Sequence, residues 1–214
     1  MVHITEQHDP TFYLRTDDTE VEEGEIAMAS PLIEAFTLVR NVPYATDGAT
    51  AGTELMAVGR GNCVAKAEFL MTAFLSLEVP TRRVRWLYQL PAQPPEVALL
   101  PSPFDVHTAL EARLGDRWVL VDATHDPALA SAGLTVVSWD GRNPTPPAYP
   151  PAGPLWRSGD DAPEPQLAAF PSVSAGRRYQ TAYNRWLNSV RQARQGDRWR
   201  LPTPPSSDAP RPLP

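Results

Sequence analysis

Proline divides this chain before any other residue does. Of its 25 prolines, 21 stand at or after Pro91. A proline has no N–H to donate and a fixed φ, so it is excluded from helix interiors and central strands. The first ninety residues can therefore build dense regular structure, while much of the remainder must run as loop or linker. With 214 residues and 42% apolar side chains, the chain can close one core with extras, or at most two small ones.

Charge and composition remove several function classes. The net charge is -6, and a single lysine, Lys66, stands beside 18 arginines. Neutralising phosphates supplies most non-specific nucleic-acid affinity, so an acidic chain is a poor general nucleic-acid binder. No apolar run approaches the roughly 18 residues of a membrane span. Residues Met1 to Pro10 lack the basic and apolar regions of a signal peptide. The expectation is a soluble cytoplasmic protein, monomeric or weakly dimeric, with no membrane or nucleic-acid partner. One cysteine, Cys63, excludes an intrachain disulfide, and His3, His8, His107 and His125 show no zinc-ligand spacing, so no metal or other cofactor is expected.

Five segments follow. Residues 1–30 form an acidic arm with eight acids against Arg15, and its run from Asp17 to Glu25 lacks the spacing of a calcium loop. Residues 31–140 form the core. Ser30 and Pro31 signal a helix whose apolar set is Leu32, Ile33, Phe36, Leu38 and Val39, and Pro43 stops it. Ala45 to Gly52 reads as a small-residue loop, followed by a short helical stretch that ends in Gly59.

Asn62 then caps the strongest helix of the chain. Its apolar positions Cys63, Ala67, Leu70, Phe74 and Leu77 recur at alternating steps of four and three, widened by Val64, Met71 and Leu75. Pro80 ends it after about 17 residues, or roughly 26 Å. Arg82 to Tyr88, Val106 to Leu114 and Arg117 to Ala123 read as strands, and Leu134 to Trp139 as a further one. Gly115 and Asp116 suit a two-residue hairpin turn. Residues 141–173 form a proline-rich wrap expected to lie outside the core. Residues 174–196 form an amphipathic helix with the stripe Tyr179, Ala182, Tyr183, Trp186, Val190 and Ala193. It is expected to pack on the core with its arginines toward the acidic arm. Residues 202–214 are a tail disordered by composition. The fold class is α+β, with the cysteine helix packed on a small antiparallel sheet.

The chemistry concentrates at Cys63. A helix N-terminus stabilises a thiolate through unpaired backbone N–H groups and the positive end of the dipole. Arg60 adds positive charge, and Gly59 and Gly61 let the chain turn tightly. The competing interpretation makes Cys63 a small buried apolar residue. A catalytic thiol needs a base and a group that orients it. If Leu114 pairs with Arg117, opposed residue numbers sum to 231, which makes His107 and Asp122 diagonal neighbours on one face, roughly 7 to 8 Å apart at the backbone. His125, of opposite parity, is the second choice as base. The competing interpretation makes His107 a hydrogen-bonded structural residue and Asp122 turn chemistry.

Three pieces together resemble the transglutaminase-like superfamily, with its papain-like core. They are Gly59-Arg60-Gly61-Asn62-Cys63 opening an apolar helix that leads to Val79-Pro80-Thr81-Arg82; His107 on a strand; and Trp118-Val119-Leu120-Val121-Asp122-Ala123-Thr124. The resemblance covers about Pro31 to Pro127. It implies Cys63 as nucleophile, His107 as base and acid, Asp122 as its orienter, and acyl transfer through a thioester to water or an amine. Hydrolysis of a peptide-like amide is the activity it favours, with a peptide or protein amide as substrate. Transglutaminases, deamidases and amide-forming acyltransferases share this chemistry. The chain departs from the pattern at Ala65 and Ala109, where family members often carry an acidic and an aromatic residue. The Cys63 backbone N–H is the natural oxyanion donor, and Tyr44 and Asn62 are candidates for oxyanion or substrate contact. The rival function is a catalytically inactive interaction module that uses the proline-rich segment or the arginine helix. A third, nucleic-acid binding through Ser174 to Arg200, has seven arginines against one acid in its favour.

Overall fold

The computed structural model describes residues 31–95, 97, 103–166 and 173–198. The acidic arm, the Ser30 cap and the tail lie outside the described residues. Helix α1 spans residues 31–41 and buries Leu32, Phe36 and Val39, while Leu38 faces solvent. Strand β1, Tyr44–Ala49, lies where a loop was expected. Its backbone runs against the segment that leads into the cysteine helix: the Ala49 N–H donates to the Arg60 carbonyl at 2.9 Å, and the Gly61 and Asn62 N–H groups donate to Pro43 and Ala49 at 3.1 Å. The small residues are there for close approach rather than for looseness. A Cβ on Gly61 would lie 2.5 Å from Leu55 Cδ1. A 3₁₀ turn, Gly52–Glu54, and helix α2, Leu55–Val58, follow, closed by Gly59 at φ 72°.

Helix α3, Cys63–Ser76, is 14 residues long, shorter than expected. Pro80 does not end it. The chain closes in a double hydrogen-bonded turn, with the Val79 N–H on the Phe74 carbonyl at 2.9 Å and the Glu78 N–H on Leu75 at 3.0 Å. Glu78 occupies the left-handed position at φ 61°, where a Cβ is strained. Glu78→Gly is expected to stabilise the fold by about 1 kcal/mol, read as a higher urea midpoint with unchanged m. Ala67, Leu70 and Phe74 are buried as their spacing predicts, whereas Leu75 is 55% exposed.

Strands β2 (Thr81–Gln89), β3 (Phe104–Leu114), β4 (Arg117–Val121) and β5 (Trp156–Arg157) form one sheet in the order β4-β3-β2-β5. Its ladders are antiparallel. Leu114 pairs with Arg117 across the Gly115-Asp116 turn, the register that the turn residues predict. Central strand β3 is buried on both faces. Leu110 and Ala112 join Val119, Val121, Phe36, Leu70 and Phe74 in one cluster. Ala109 joins Val84, Trp86, Tyr88, Tyr149 and the residues of the last helix in a second, against which Cys63 packs. The molecule is thus α+β, with the cysteine helix on a small antiparallel sheet.

Beyond β4 the expected strand Leu134 to Trp139 is absent. A 3₁₀ turn, Pro127–Ala132, leads instead into extended chain without a ladder, although Leu134 and Trp139 are buried. The wrap is part of the core rather than a cover. It starts beside β4, where the Thr145 N–H donates to Leu120 at 2.9 Å. It ends along β2, where the Ala152 and Ser158 N–H groups donate to Leu87 and Arg83 at 2.8 and 2.9 Å. The wrap thus supplies β5 along one side of β2 and a single backbone bond to the outer side of β4. Arg157 Nε and Nη2 each reach the Glu111 carboxylate at 3.0 Å, and Arg82 shares that carboxylate. Helix α4, Val173–Arg198, packs on β1 and the 127–132 turn. It buries Tyr179, Tyr183 and Leu187, while Ala193, placed on its apolar stripe from sequence, faces solvent. No helix among the described residues is long and apolar enough to cross a membrane.

Candidate active site

Cys63 is the first residue of α3. The Asn62 side chain caps the helix, its Oδ1 accepting from the Ala65 N–H at 3.0 Å. That bond engages the oxygen of Asn62 in holding the helix start. Cys63 as a residue is half-buried and packs against the second core cluster.

The β3–β4 hairpin brings His107 and Asp122 into direct contact. His107 Nε2 lies 2.9 Å from Asp122 Oδ2, and both side chains are fully buried. β4 leaves its ladder at Val121, so Asp122 is held by other means. The Ala148 N–H donates to Oδ2 at 2.7 Å, the Thr124 N–H to Oδ1 at 3.2 Å, and the Asp122 N–H itself donates to Thr145 Oγ1 at 2.9 Å. A carboxylate surrounded by donors is acceptor-only and therefore ionised. Burial opposes its charge, but His107, the Ala148 N–H and the Thr124 side chain hold its pKa below the usual carboxylate range.

Burial also opposes a charged His107. The Asp122 charge and hydrogen bond, joined by Cys63, outweigh it and raise the imidazole well above its ordinary value. Nε2–H therefore points to Asp122, and Nδ1 is buried without a hydrogen-bond partner. Cys63 is near enough to be among the groups that raise the imidazole. Aromatic rings fix the imidazole plane: Trp86 and Tyr149 lie edge-on at centroid distances of 4.7 and 5.2 Å.

His125, the rival base, is turned elsewhere. Its Nδ1 lies 2.8 Å from the Thr135 carbonyl, and a carbonyl only accepts, so that nitrogen carries the proton. Nε2 then accepts from the Tyr149 hydroxyl at 2.9 Å. Burial lowers its pKa to about 4. Between that value and the ordinary 6.5, the unfolded chain takes up a proton that the folded one refuses, so stability falls as pH drops through this window. His125→Gln is expected to flatten that acid limb. Urea midpoints between pH 7 and pH 4 will show it.

Tyr44 lies in the cluster against which Cys63 packs. Burial, then Tyr183 and Cys63, raise its hydroxyl well above the ordinary value, so it is a neutral donor. Its backbone is clamped: the N–H donates to Asp126 Oδ2 at 3.0 Å, and the carbonyl accepts from Arg191 Nη2 at 2.7 Å. Arg191 also pairs with Asp126 at 2.7 Å, so α4 locks β1 beside the cysteine. Three contributors were missed from sequence: the Ala148 N–H, Tyr149 and Lys66. The first is a backbone group and leaves no residue-type signal. The other two were visible only as an aromatic among prolines and as an isolated lysine. Next to Tyr149 opens a groove of about 600 Å³ walled by Leu90, Pro91, Leu134, Thr135 and Pro150. Among the described residues no three His, Cys, Asp or Glu side chains converge as a metal site would require.

The chain matches no protein family profile. No curated protein matches it either. Among solved structures it is similar to one named "Putative Cysteine Protease from Cytophaga hutchinsonii", with 18% identity and a TM-score of 0.35. The match covers 48% of this chain and spans 37% of that one.

Proposed function

We propose that Cys63, His107 and Asp122 form a nucleophile, base and orienter for acyl transfer, and that the chain is a transglutaminase-like cysteine enzyme that hydrolyses a peptide-like amide. The observation that carries this reading is the fully buried His107 Nε2 to Asp122 Oδ2 contact at 2.9 Å, which leaves Nδ1 for the thiol at a helix N-terminus. Asp122 fixes the tautomer and stabilises the imidazolium, as in other triads. The thiol proton rests on His107 Nδ1, as the raised imidazole pKa favours, and the thiolate sulfur attacks the amide carbonyl carbon. The tetrahedral oxyanion gathers at the backbone N–H of Cys63, with the Tyr44 hydroxyl as the second donor. On collapse, the C–N bond breaks and Nδ1–H protonates the departing amine, leaving a thioester on Cys63. A water then gives a proton to Nδ1 and attacks the thioester. Acid forms and the thiol is restored. An amine in place of the water yields a new amide by the same steps. The groove beside Tyr149 suits an extended apolar segment of the acyl donor.

Alkylation of Cys63 by iodoacetamide as a function of pH tests the reading. An activated thiolate reacts fully well below the ordinary thiol midpoint of about 8.5. A rate that rises only through that ordinary midpoint overturns it.

A further inference from the structure

Lys66 is the one lysine of the chain, lies three residues after Cys63 and is 1% exposed. Its Nζ donates to the carbonyls of Thr124 at 2.6 Å, Val42 at 2.8 Å and Arg40 at 3.3 Å. Three acceptors around one nitrogen require three N–H bonds, which only the ammonium has. Burial works against that charge and lowers the pKa to about 7. Asp126 and Asp122 act in the opposite direction, and Arg191 and Arg40 reinforce burial. A charge kept in the interior under this pressure is there for what it holds in place.

The segment it holds is the one the sheet releases. β4 pairs with β3 only to Val121, so no ladder bond fixes Asp122, Ala123 or Thr124. The Thr124 residue is gripped from two sides: its carbonyl by Lys66 and its N–H by Asp122 Oδ1 at 3.2 Å. We propose that Lys66 is a positioning residue, which clamps Thr124 and so aims Asp122 at His107, coupling the helix that carries the cysteine to the carboxylate that orients its base. The proposal rests on the triad reading for its catalytic meaning. The Lys66–Thr124–Asp122 linkage can be tested independently.

The sign of one shift separates a clamp from a mere charge. If Lys66 acted by charge alone, Lys66→Met would remove a cation and raise the His107 pKa. If it acts by aiming Asp122, the same change weakens the His107–Asp122 bond and lowers it. The experiment follows His107 ring carbons by NMR in histidine-labelled full-length protein across pH, with Cys63 alkylation measured in parallel. Lys66→Met is expected to lower the His107 midpoint by about one pH unit and to move alkylation toward higher pH. Lys66→Arg keeps the charge but cannot point three donors at the same carbonyls, and is expected to give a smaller shift of the same sign. It also serves as the readout should Lys66→Met not fold. A His107 midpoint that rises or stays put in the folded variant overturns the clamp. Should the wild-type Cys63 instead titrate as an ordinary thiol while the His107 shift occurs, the triad reading fails and the clamp on Asp122 stands.

Discussion

Cys63→Ala is expected to lower turnover of an activated acyl donor by at least about 10³-fold while shifting the melting temperature by no more than a few degrees. The two effects separate because the side chain is half-buried at a helix start, where alanine is a good helix former and little packing is lost. Asn62 still caps the helix, and the His107–Asp122 contact does not depend on sulfur. The measurements are steady-state hydrolysis, thermal unfolding and mass spectrometry for a covalent acyl adduct. Persistent turnover would place the chemistry on another residue.

Asp122 presents the opposite combination, a large effect on both function and stability. Asp122→Asn keeps the shape, but an amide NH₂ then faces Nε2 and drives the ring proton to Nδ1, where the base must be free. Activity is expected to fall by about 10²- to 10⁴-fold. Asp122→Ala leaves the Ala148 N–H, the Thr124 N–H and His107 Nε2 buried without their acceptor. Breaking a fully buried charged pair costs about 3–5 kcal/mol, measured by urea unfolding at pH 7. In the wild type this contribution is present above the ordinary carboxylate pKa. It is lost as pH falls through the lowered native value, because protonated Asp122 no longer accepts from all three donors. An alanine variant as stable as wild type would show that the carboxylate is solvated rather than built in.

What could be read from sequence was local. Gly115-Asp116 sets the hairpin register, and that register puts His107 and Asp122 on one face. Asn62 sets the start of the cysteine helix through its own side chain. What could not be read depends on chain meeting chain. Ala45 to Ala49 is a strand only because Arg60, Gly61 and Asn62 lie alongside it. Leu134 to Trp139 has the composition of a strand, yet no ladder edge receives it. The wrap carries no periodicity because each buried residue answers a different distant partner: Thr145 meets Asp122, and the Tyr149 carbonyl accepts from Trp86 Nε1 at 2.9 Å. The Ala148 and Thr124 N–H bonds to the Asp122 carboxylate come from backbone, which no side-chain pattern encodes.

The burial of the single lysine also bears on self-modification. A protein that holds an activated acyl group on sulfur, and passes it to amines, risks acylating its own surface. This chain has no other lysine, and Lys66 has all three of its N–H bonds committed to carbonyls in the interior. Its remaining cationic side chains apart from histidine are 18 arginines, whose guanidinium groups keep their proton and are not nucleophiles under physiological conditions. For an enzyme of the proposed kind, the folded chain offers the thioester no accessible side-chain amine of its own, so lysine self-acylation does not compete with water or with an amine that arrives from another molecule.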